Sequence, residues 1–255
     1  MTTRLLNLSI KDLSATALGA ALTAIVAVLP SPVQAVTLVT ERAALGGDDQ
    51  INWSSLGSVA PFNFLPNSFL TTSSGGLGLT IEIPEITGIT SPFVFQTLPE
   101  PGIPTNFAQG DFILFTGFIP GPPPTVGNPG PLTITFDKPV RGAGTQIAVD
   151  DTLEFTAFVS AFDNANNLLG TFESVGTSSL ALDNSALFLG VLSETPNISQ
   201  LVFSSSEPKR AFGINTISLA TVPVAVPEPT SILGLKAIGA LGASFILKRK
   251  LDKRI

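Results

Sequence analysis

Histidine, cysteine and tyrosine are all absent from the 255 residues, and tryptophan and methionine occur once each. Without histidine a Ser-His-Asp triad has no base and a zinc hydrolase loses its usual ligands; without cysteine and tyrosine there is no thiol nucleophile and no phenolic acid. The lack of cysteine also rules out disulfide staples, so the fold must be held by its core alone. About 190 residues between the two ends are enough for that in one domain.

Basic residues are scarce as well. Between Val36 and Val226 five of them, Arg42, Lys138, Arg141, Lys209 and Arg210, face 16 acidic residues, a net charge of −11, although the whole chain carries only −6. The other eight of the 13 basic residues lie in the two terminal segments. A surface this acidic cannot displace counterions from phosphates, which argues against nucleic acid as a partner. It is compatible with divalent cations and with plain solubility.

The terminal segments read as addresses. Arg4 and Lys11 precede an apolar region from Ala15 to Leu29, and Val33-Gln34-Ala35 presents the residues a signal peptidase reads, so cleavage is expected after Ala35. An N-terminal membrane helix is the alternative; the shortness of the apolar region and the immediate Pro30 and Pro32 speak against it. At the other end Pro227, Glu228 and Pro229 lead into an apolar run of 17 residues, Ser231 to Leu247, followed by Lys248, Arg249, Lys250, Lys253 and Arg254. As a helix that run covers roughly 26 Å, slightly less than a hydrocarbon core of about 30 Å. Lys236 lies near its outer end, where a long stem can return the ammonium to the interface. The terminal cations fit a cytoplasmic stop-transfer flank better than a buried core helix, which places the residues before Pro227 on the far side of the membrane.

Pro227-Glu228-Pro229, then Thr230, Ser231 and a Gly/Ala/Leu-rich stretch (Ile232, Leu233, Gly234, Leu235, Ala240, Leu241, Gly242, Ala243), then the terminal Lys/Arg cluster, together resemble the PEP-CTERM sorting signal of bacterial exported proteins. The wording VPEPTSILGL looks most like cyanobacterial members. The resemblance covers 227–255, has all three parts in order, and departs from the pattern at Lys236. It implies recognition by an exosortase, a membrane protease that cuts near the tripeptide and releases or re-anchors the ectodomain. It identifies a route and leaves the activity of the cargo open.

Between the two ends the chain reads as short β-runs separated by Gly, Pro, Asn and Ser. Leu132, Ile134 and Phe136 alternate with Thr133, Thr135 and Asp137, the period of a half-buried strand, which Lys138-Pro139 is expected to end. From Leu153 to Phe162 both parities carry apolar residues, as in a central strand covered on both sides for part of its length. Asp163 to Asn167 is a dense turn signal, and Leu168, Leu169 and Phe172 return as the second arm of a hairpin. Runs at Leu187 to Leu192, Ile198 to Phe203 and Phe212 to Leu219 follow at the spacing of an antiparallel sandwich or barrel. Looser runs occur at Phe62 and Phe64, Phe69, Leu77 to Ile83, Phe93 to Phe95 and Phe112 to Phe118. The proline-rich stretch Pro120 to Pro131 is either an interdomain linker or, as preferred here, a long surface loop inside one sandwich.

The expected fold is therefore all-β: an antiparallel, jelly-roll-like β-sandwich ectodomain with a C-terminal transmembrane helix. The expected layout is a signal peptide at 1–35, the ectodomain at 36–220, a linker at 221–226 and the sorting tail at 227–255 with its helix at 231–247. The segments AFDNANNLLGTF, FGINTISL and INWSSLG also loosely resemble ectodomains carried by such tails.

Three kinds of chemistry remain open to such a domain. A glycosidase-type carboxylate pair has Asp150, Asp151 and Glu154 as its nearest cluster, but adjacent residues of a strand point to opposite faces. Calcium finds oxygens at Asp48-Asp49, Asp150-Asp151 or the Asp163 to Asn167 turn, where an ordinary turn uses the same residues. Sugar binding calls for an exposed aromatic platform; Trp53 is either that or, more commonly for a lone tryptophan, part of the core, and the 18 phenylalanines read as core packing. The expectation is an exported, non-enzymatic surface or extracellular-matrix protein without a required cofactor, membrane-anchored before processing, whose partners are signal peptidase, an exosortase-like sorting protease and the membrane. The alternative is a carbohydrate-binding module for exopolysaccharide.

Overall fold

The computed structural model describes residues 36–57, 62–99, 102–121 and 126–221. Within them the alternating runs become fifteen strands: β1 (Thr37–Val39), β2 (Asp49–Ile51), β3 (Asn63–Phe64), β4 (Ser68–Thr72), β5 (Gly78–Glu82), β6 (Phe93–Gln96), β7 (Phe112–Phe115), β8 (Leu132–Val140), β9 (Gly142–Val149), β10 (Glu154–Phe162), β11 (Leu168–Thr177), β12 (Leu187–Leu192), β13 (Ile198–Ser205), β14 (Phe212–Ile214) and β15 (Ile217–Ala220). They form two sheets, and every pairing between them is antiparallel. One sheet runs β1-β12-β9-β14-β7-β6-β3, with β15 bridging β9 and β2; the other runs β11-β10-β13-β8-β5-β4.

The sheets face each other across one core. Val94, Leu114, Ile147, Phe212 and Ile214 of the larger sheet pack in the same buried cluster as Ile81, Ile134, Phe155, Val159, Leu201 and Phe203 of the smaller one. This is the expected antiparallel β-sandwich, with side chains alternating inward along each strand. Burial of that many large apolar groups, each stabilising by about 1.5–3 kcal/mol, is what holds a fold without disulfides.

The hairpin at Asp163 is as expected. Its carboxylate accepts from the backbone N–H of Ala165 and Asn167 at 2.9 and 2.8 Å, Asn167 Nδ2 adds a third bond at 2.9 Å, and Asn166 takes the left-handed conformation at φ 62°. The run at Leu187 to Leu192 is β12 residue for residue.

Other expectations need correction. Lys138-Pro139 does not end β8, which continues to Val140; the pairing jumps from Thr135↔Gln200 to Val140↔Ile198, so the proline sits in a bulge where it breaks no ladder bond. In β10 only Phe155, Ala157, Val159 and Ala161 are fully buried, and Phe158 and Phe162 are half-buried on the outer side. No second layer is needed to explain the run. The single run expected at Phe212 to Leu219 is two strands, broken at Asn215-Thr216.

The proline-rich stretch is a loop within one sandwich. Strands on both sides of it share a sheet, since β5 pairs with β8 and β7 with β14. Its buried Asn128 donates to the carbonyl of Pro84 at 2.7 Å, and the Asn128 carbonyl accepts from Thr116 Oγ1 at 2.6 Å.

Candidate functional site

Strands β6 and β7 are apolar on both faces. Val94 and Leu114 point into the sandwich, so Phe93, Phe95, Ile113 and Phe115 must point outward, onto the far side of the larger sheet. There the neighbouring strands contribute Ala148 and Gly213, with Val149 at the end of β9. Small residues beside large ones leave a depression, and a Cβ at Gly213 would come within 2.6 Å of Ile113 Cγ2. Phe62 stacks on Phe93 with centroids 4.8 Å apart, and Phe115 and Phe118 meet Phe93 at 5.3 and 5.8 Å. Ile103 and Phe107 close one side and Ser178 to Leu180 another, giving a half-open groove of about 390 Å³. That volume is in the range of small-molecule sites.

One end of the groove is polar. β9 stops at Val149, so Asp150 and Asp151 lie beyond the pleat and both line the groove, contrary to the opposite-faces expectation for a strand. Asp151, at φ 97°, accepts from Arg210 at 3.2 Å and from the backbone N–H of Thr152 at 2.8 Å. Glu154 opens β10, is exposed, and is not part of the groove. On the wall Asn106, 1% exposed, donates through Nδ2 to the carbonyl of Thr177 at 2.8 Å and lies 3.4 Å from Ser185 Oγ, while its Oδ1 has no hydrogen-bond partner.

A second polar constellation supports the same sheet at the β14–β15 break. Asn215 Oδ1 accepts from Arg42 Nη2 at 3.0 Å and from the Gln146 N–H at 3.1 Å; Asn215 Nδ2 donates to Asp111 Oδ2 at 2.9 Å and to Gln146 Oε1 at 2.6 Å. Burial pulls the Arg42 guanidinium below the usual arginine range, and Asp111 opposes that shift. Arg42 also lies 5.1 Å over the ring of Phe188. Almost every donor and acceptor here is matched, which fits a structural clasp better than a binding site.

Trp53 belongs to this clasp. It is fully buried and its Nε1 donates to the Asn215 carbonyl at 2.8 Å, so it is no sugar platform. Three of the carboxylates considered for calcium are committed elsewhere. Asp48 accepts from Thr221 N–H and Oγ1 at 2.7 and 2.9 Å; Asp49 accepts from Ser73 Oγ, Gln50 N–H and Gly75 N–H; Asp163 caps its own hairpin. A calcium shell needs several converging oxygens free of such donors, and none of these places fits it. Among the described residues no cluster of three or more metal-ligating side chains occurs.

Ala35, Pro227, Glu228, Pro229, Lys248, Arg249, Lys250, Lys253 and Arg254 lie outside the described residues, as do the signal segment and the expected helix at 231–247. Among the described residues no helix is long and apolar enough to cross a membrane.

Sequence reasoning missed the groove. Six of the phenylalanines, Phe62, Phe93, Phe95, Phe107, Phe115 and Phe118, line it; Phe93, Phe95 and Phe107 are at the same time buried, as expected of core packing, but in a second apolar cluster against which Phe62, Phe115 and Phe118 pack. The available signal was FVFQ and FILF, strands with large apolar residues at both parities and so on both faces.

No family model and no curated protein matches this sequence. Among solved structures, a DUF4465 family protein from Bacteroides caccae is similar at 13% identity and a TM-score of 0.35, over 72% of this chain and 99% of that one. The module CsCBM6-3 from Clostridium stercorarium, solved in complex with cellobiose, is similar at 11% identity and a TM-score of 0.22, over 68% of this chain and 93% of that one. Likenesses this weak carry no function from those proteins to this one.

Proposed function

We propose that this is an exported surface or extracellular-matrix protein, translocated by the 1–35 segment, held by 231–247 and sorted at Pro227-Glu228-Pro229 by an exosortase-like protease, with a non-enzymatic sandwich as cargo. The observation that carries this reading is the sequence at the two ends, a signal-peptide pattern closing at Ala35 and Pro227-Glu228-Pro229 followed by an apolar run and a basic cluster, with the described sandwich between them. β1 opens at Thr37, two residues after the expected cut at Ala35, and β15 closes at Ala220, seven residues before Pro227. The described strands occupy the segment between the two addresses. Both ends of the described sandwich are fastened locally, Thr37 pairing with Leu192 and Thr221 bonding to Asp48, contacts that processing at Ala35 and near Pro227 would not remove.

Mass spectrometry of the mature protein from its own host tests it. The expected N-terminus is Val36 and the expected C-terminus lies near the tripeptide. An unprocessed N-terminus would remove the export step, and a C-terminus at Ile255 in cells that carry the sorting protease would remove the sorting step.

A second reading, a carbohydrate-binding module for exopolysaccharide, draws support from one feature: an aromatic groove on the outer face of a sheet, with carboxylates at one end. With Trp53 buried, stacking would fall to phenylalanine. Retardation of the protein in gels cast with the host polysaccharide tests this, and mobility unchanged by the polysaccharide would reject it.

A further inference from the structure

We propose that the groove on the outer face of the larger sheet binds an uncharged aromatic molecule of one or two rings, laid beside Phe115 over a floor of Gly213 and Ala148. This goes beyond delivery to the surface and does not depend on it; it competes with the polysaccharide reading for the same groove. The register of the sheet makes the shape. Phe64 lies opposite Phe93, Phe93 opposite Phe115, Phe115 opposite Gly213 and Gly213 opposite Ala148, so one row across five strands passes from three rings to two residues with almost no side chain. At about 4.8 Å per strand that step leaves a slot about 10 Å wide with a ring standing at its edge.

The slot is stopped along the strands. Gln146, the preceding outward residue of β9, fills the place that Ala148 leaves open, and its Nε2 is held by Asn184 Oδ1 at 2.9 Å and by the Ala186 carbonyl at 3.1 Å. A groove of about 390 Å³ closed at that end takes a small molecule rather than a polypeptide segment. Apolar surface continues outward from it: Leu180 on the wall is 60% exposed, and Phe64 is 53% exposed and edge-on to Phe93 at 5.6 Å. The charges at the other end ask for no counterpart in a ligand. Arg210 meets Asp151 at 3.2 Å, Asp151 also takes the Thr152 N–H, and Asp150 has its own interaction within the protein. An ionic ligand would have to shed water and disturb one of these pairings in exchange. The hydroxyls of Ser178, Ser179 and Thr105 keep an O–H to donate, so a neutral carbonyl or hydroxyl substituent is accommodated at this end without being required.

Benzophenone and its 4-carboxylate and 4-aminomethyl derivatives share one body and one photochemistry and differ in charge. Each is irradiated with the full-length chain in lipid nanodiscs at about 0.5 M salt, which screens the pull of an acidic domain on any cation. Adducts are located by mass spectrometry over a concentration series, so that partition into lipid does not count as binding. The neutral probe is expected to give saturable adducts on the peptides carrying Phe115, Ala148 and Leu180, half-saturating at roughly five- to tenfold lower concentration than either charged probe. Ala148→Leu, which fills the floor, should abolish those adducts. Leu180→Glu, at an exposed position where folding is not at stake, should raise the half-saturation at least about threefold. An unchanged near-ultraviolet spectrum of Trp53 shows that each variant is folded.

Adducts that do not saturate, that lie elsewhere on the chain, or that persist unchanged in the folded variants overturn the site. Labelling by either charged probe as tight as by the neutral one overturns the choice of an uncharged ligand. Loss of the adducts when cellopentaose is present gives the groove to sugar and overturns the aromatic ligand, whereas labelling that withstands the sugar supports it.

Discussion

Trp53 and Asn215, 162 residues apart in the chain, are joined by a 2.8 Å hydrogen bond from the indole Nε1 to the Asn215 carbonyl. The bond fastens the short 3-10 turn at Trp53–Ser55 to the break between β14 and β15, inside the main core. Trp53→Phe keeps most of the apolar burial and loses this bond. A loss of about 1–2 kcal/mol is expected, against about 3–5 kcal/mol for Trp53→Ala, both read from urea unfolding of the sandwich. Acrylamide should leave the native Trp53 emission nearly unquenched; quenching as strong as in the unfolded chain would contradict its burial.

Asn215 has more to lose than Trp53. Its side chain serves Arg42, Asp111, Gln146 and Thr145 at once, so Asn215→Ala takes one partner from the half-buried Arg42 guanidinium and removes the acceptor of the Gln146 N–H together. The expected cost is about 3–4 kcal/mol, and the double variant with Asp111→Asn should cost clearly less than the sum of the two singles, because they share one network. Additive costs in a double-mutant cycle would dissolve the clasp into independent contacts.

The fold was largely legible because the inner faces obey the simplest rule available, one apolar residue in two. Leu132, Ile134 and Phe136, or Phe155, Ala157 and Val159, alternate as strands must, and the Asp163 to Asn167 turn is local chemistry. What escaped was set by neighbours far away in sequence. That Lys138-Pro139 sits in a bulge depends on the register of β8 against β13, and Asn215, where the strand breaks, is bonded to Arg42 and Trp53. The groove escaped for a related reason. Outward phenylalanines on β6 and β7 make a hollow only because Gly213 and Ala148 happen to lie beside them, which no local pattern records.

Acid stability should depend on two turn carboxylates. Hydrogen bonds from the Asn167 side chain and backbone hold Asp163 below the usual carboxylate range, and bonds from the Ser185 side chain and backbone do the same for Asp183. For a group depressed in the folded state, the stabilisation is complete above the unfolded value, about 3.9 for Asp, and is lost as pH falls through the folded one. Asp163→Asn and Asp183→Asn together should therefore flatten the fall in stability below about pH 4 while leaving its slope between about pH 6 and 8 unchanged. Denaturation midpoints measured across that range decide it, and an unaltered acid limb would count against both bonds.

At the tip of the same hairpin, Asn166 sits at φ 62°. Asn166→Gly should be neutral or slightly stabilising, whereas Asn166→Val should cost about 1–2 kcal/mol, since a β-branched side chain is strained there. Thermal melts of the two variants compare them directly, and equal melting temperatures would mean that the turn relaxes.

The sorting proposal makes a sharper demand, because the tripeptide and the cations act at different steps. Glu228 is the charged centre of Pro227-Glu228-Pro229, while Lys248, Arg249, Lys250, Lys253 and Arg254 follow the apolar run and, on this proposal, act on orientation and retention. Glu228→Ala should leave a precursor that is inserted and correctly oriented but uncut, seen as a full-length band in the membrane fraction. Deleting Lys248 to Ile255 should instead loosen retention or invert part of the population, which external protease protection reads. Wild-type release from the Glu228 variant in a host with the sorting protease would separate the chain from that route, whatever its sandwich binds.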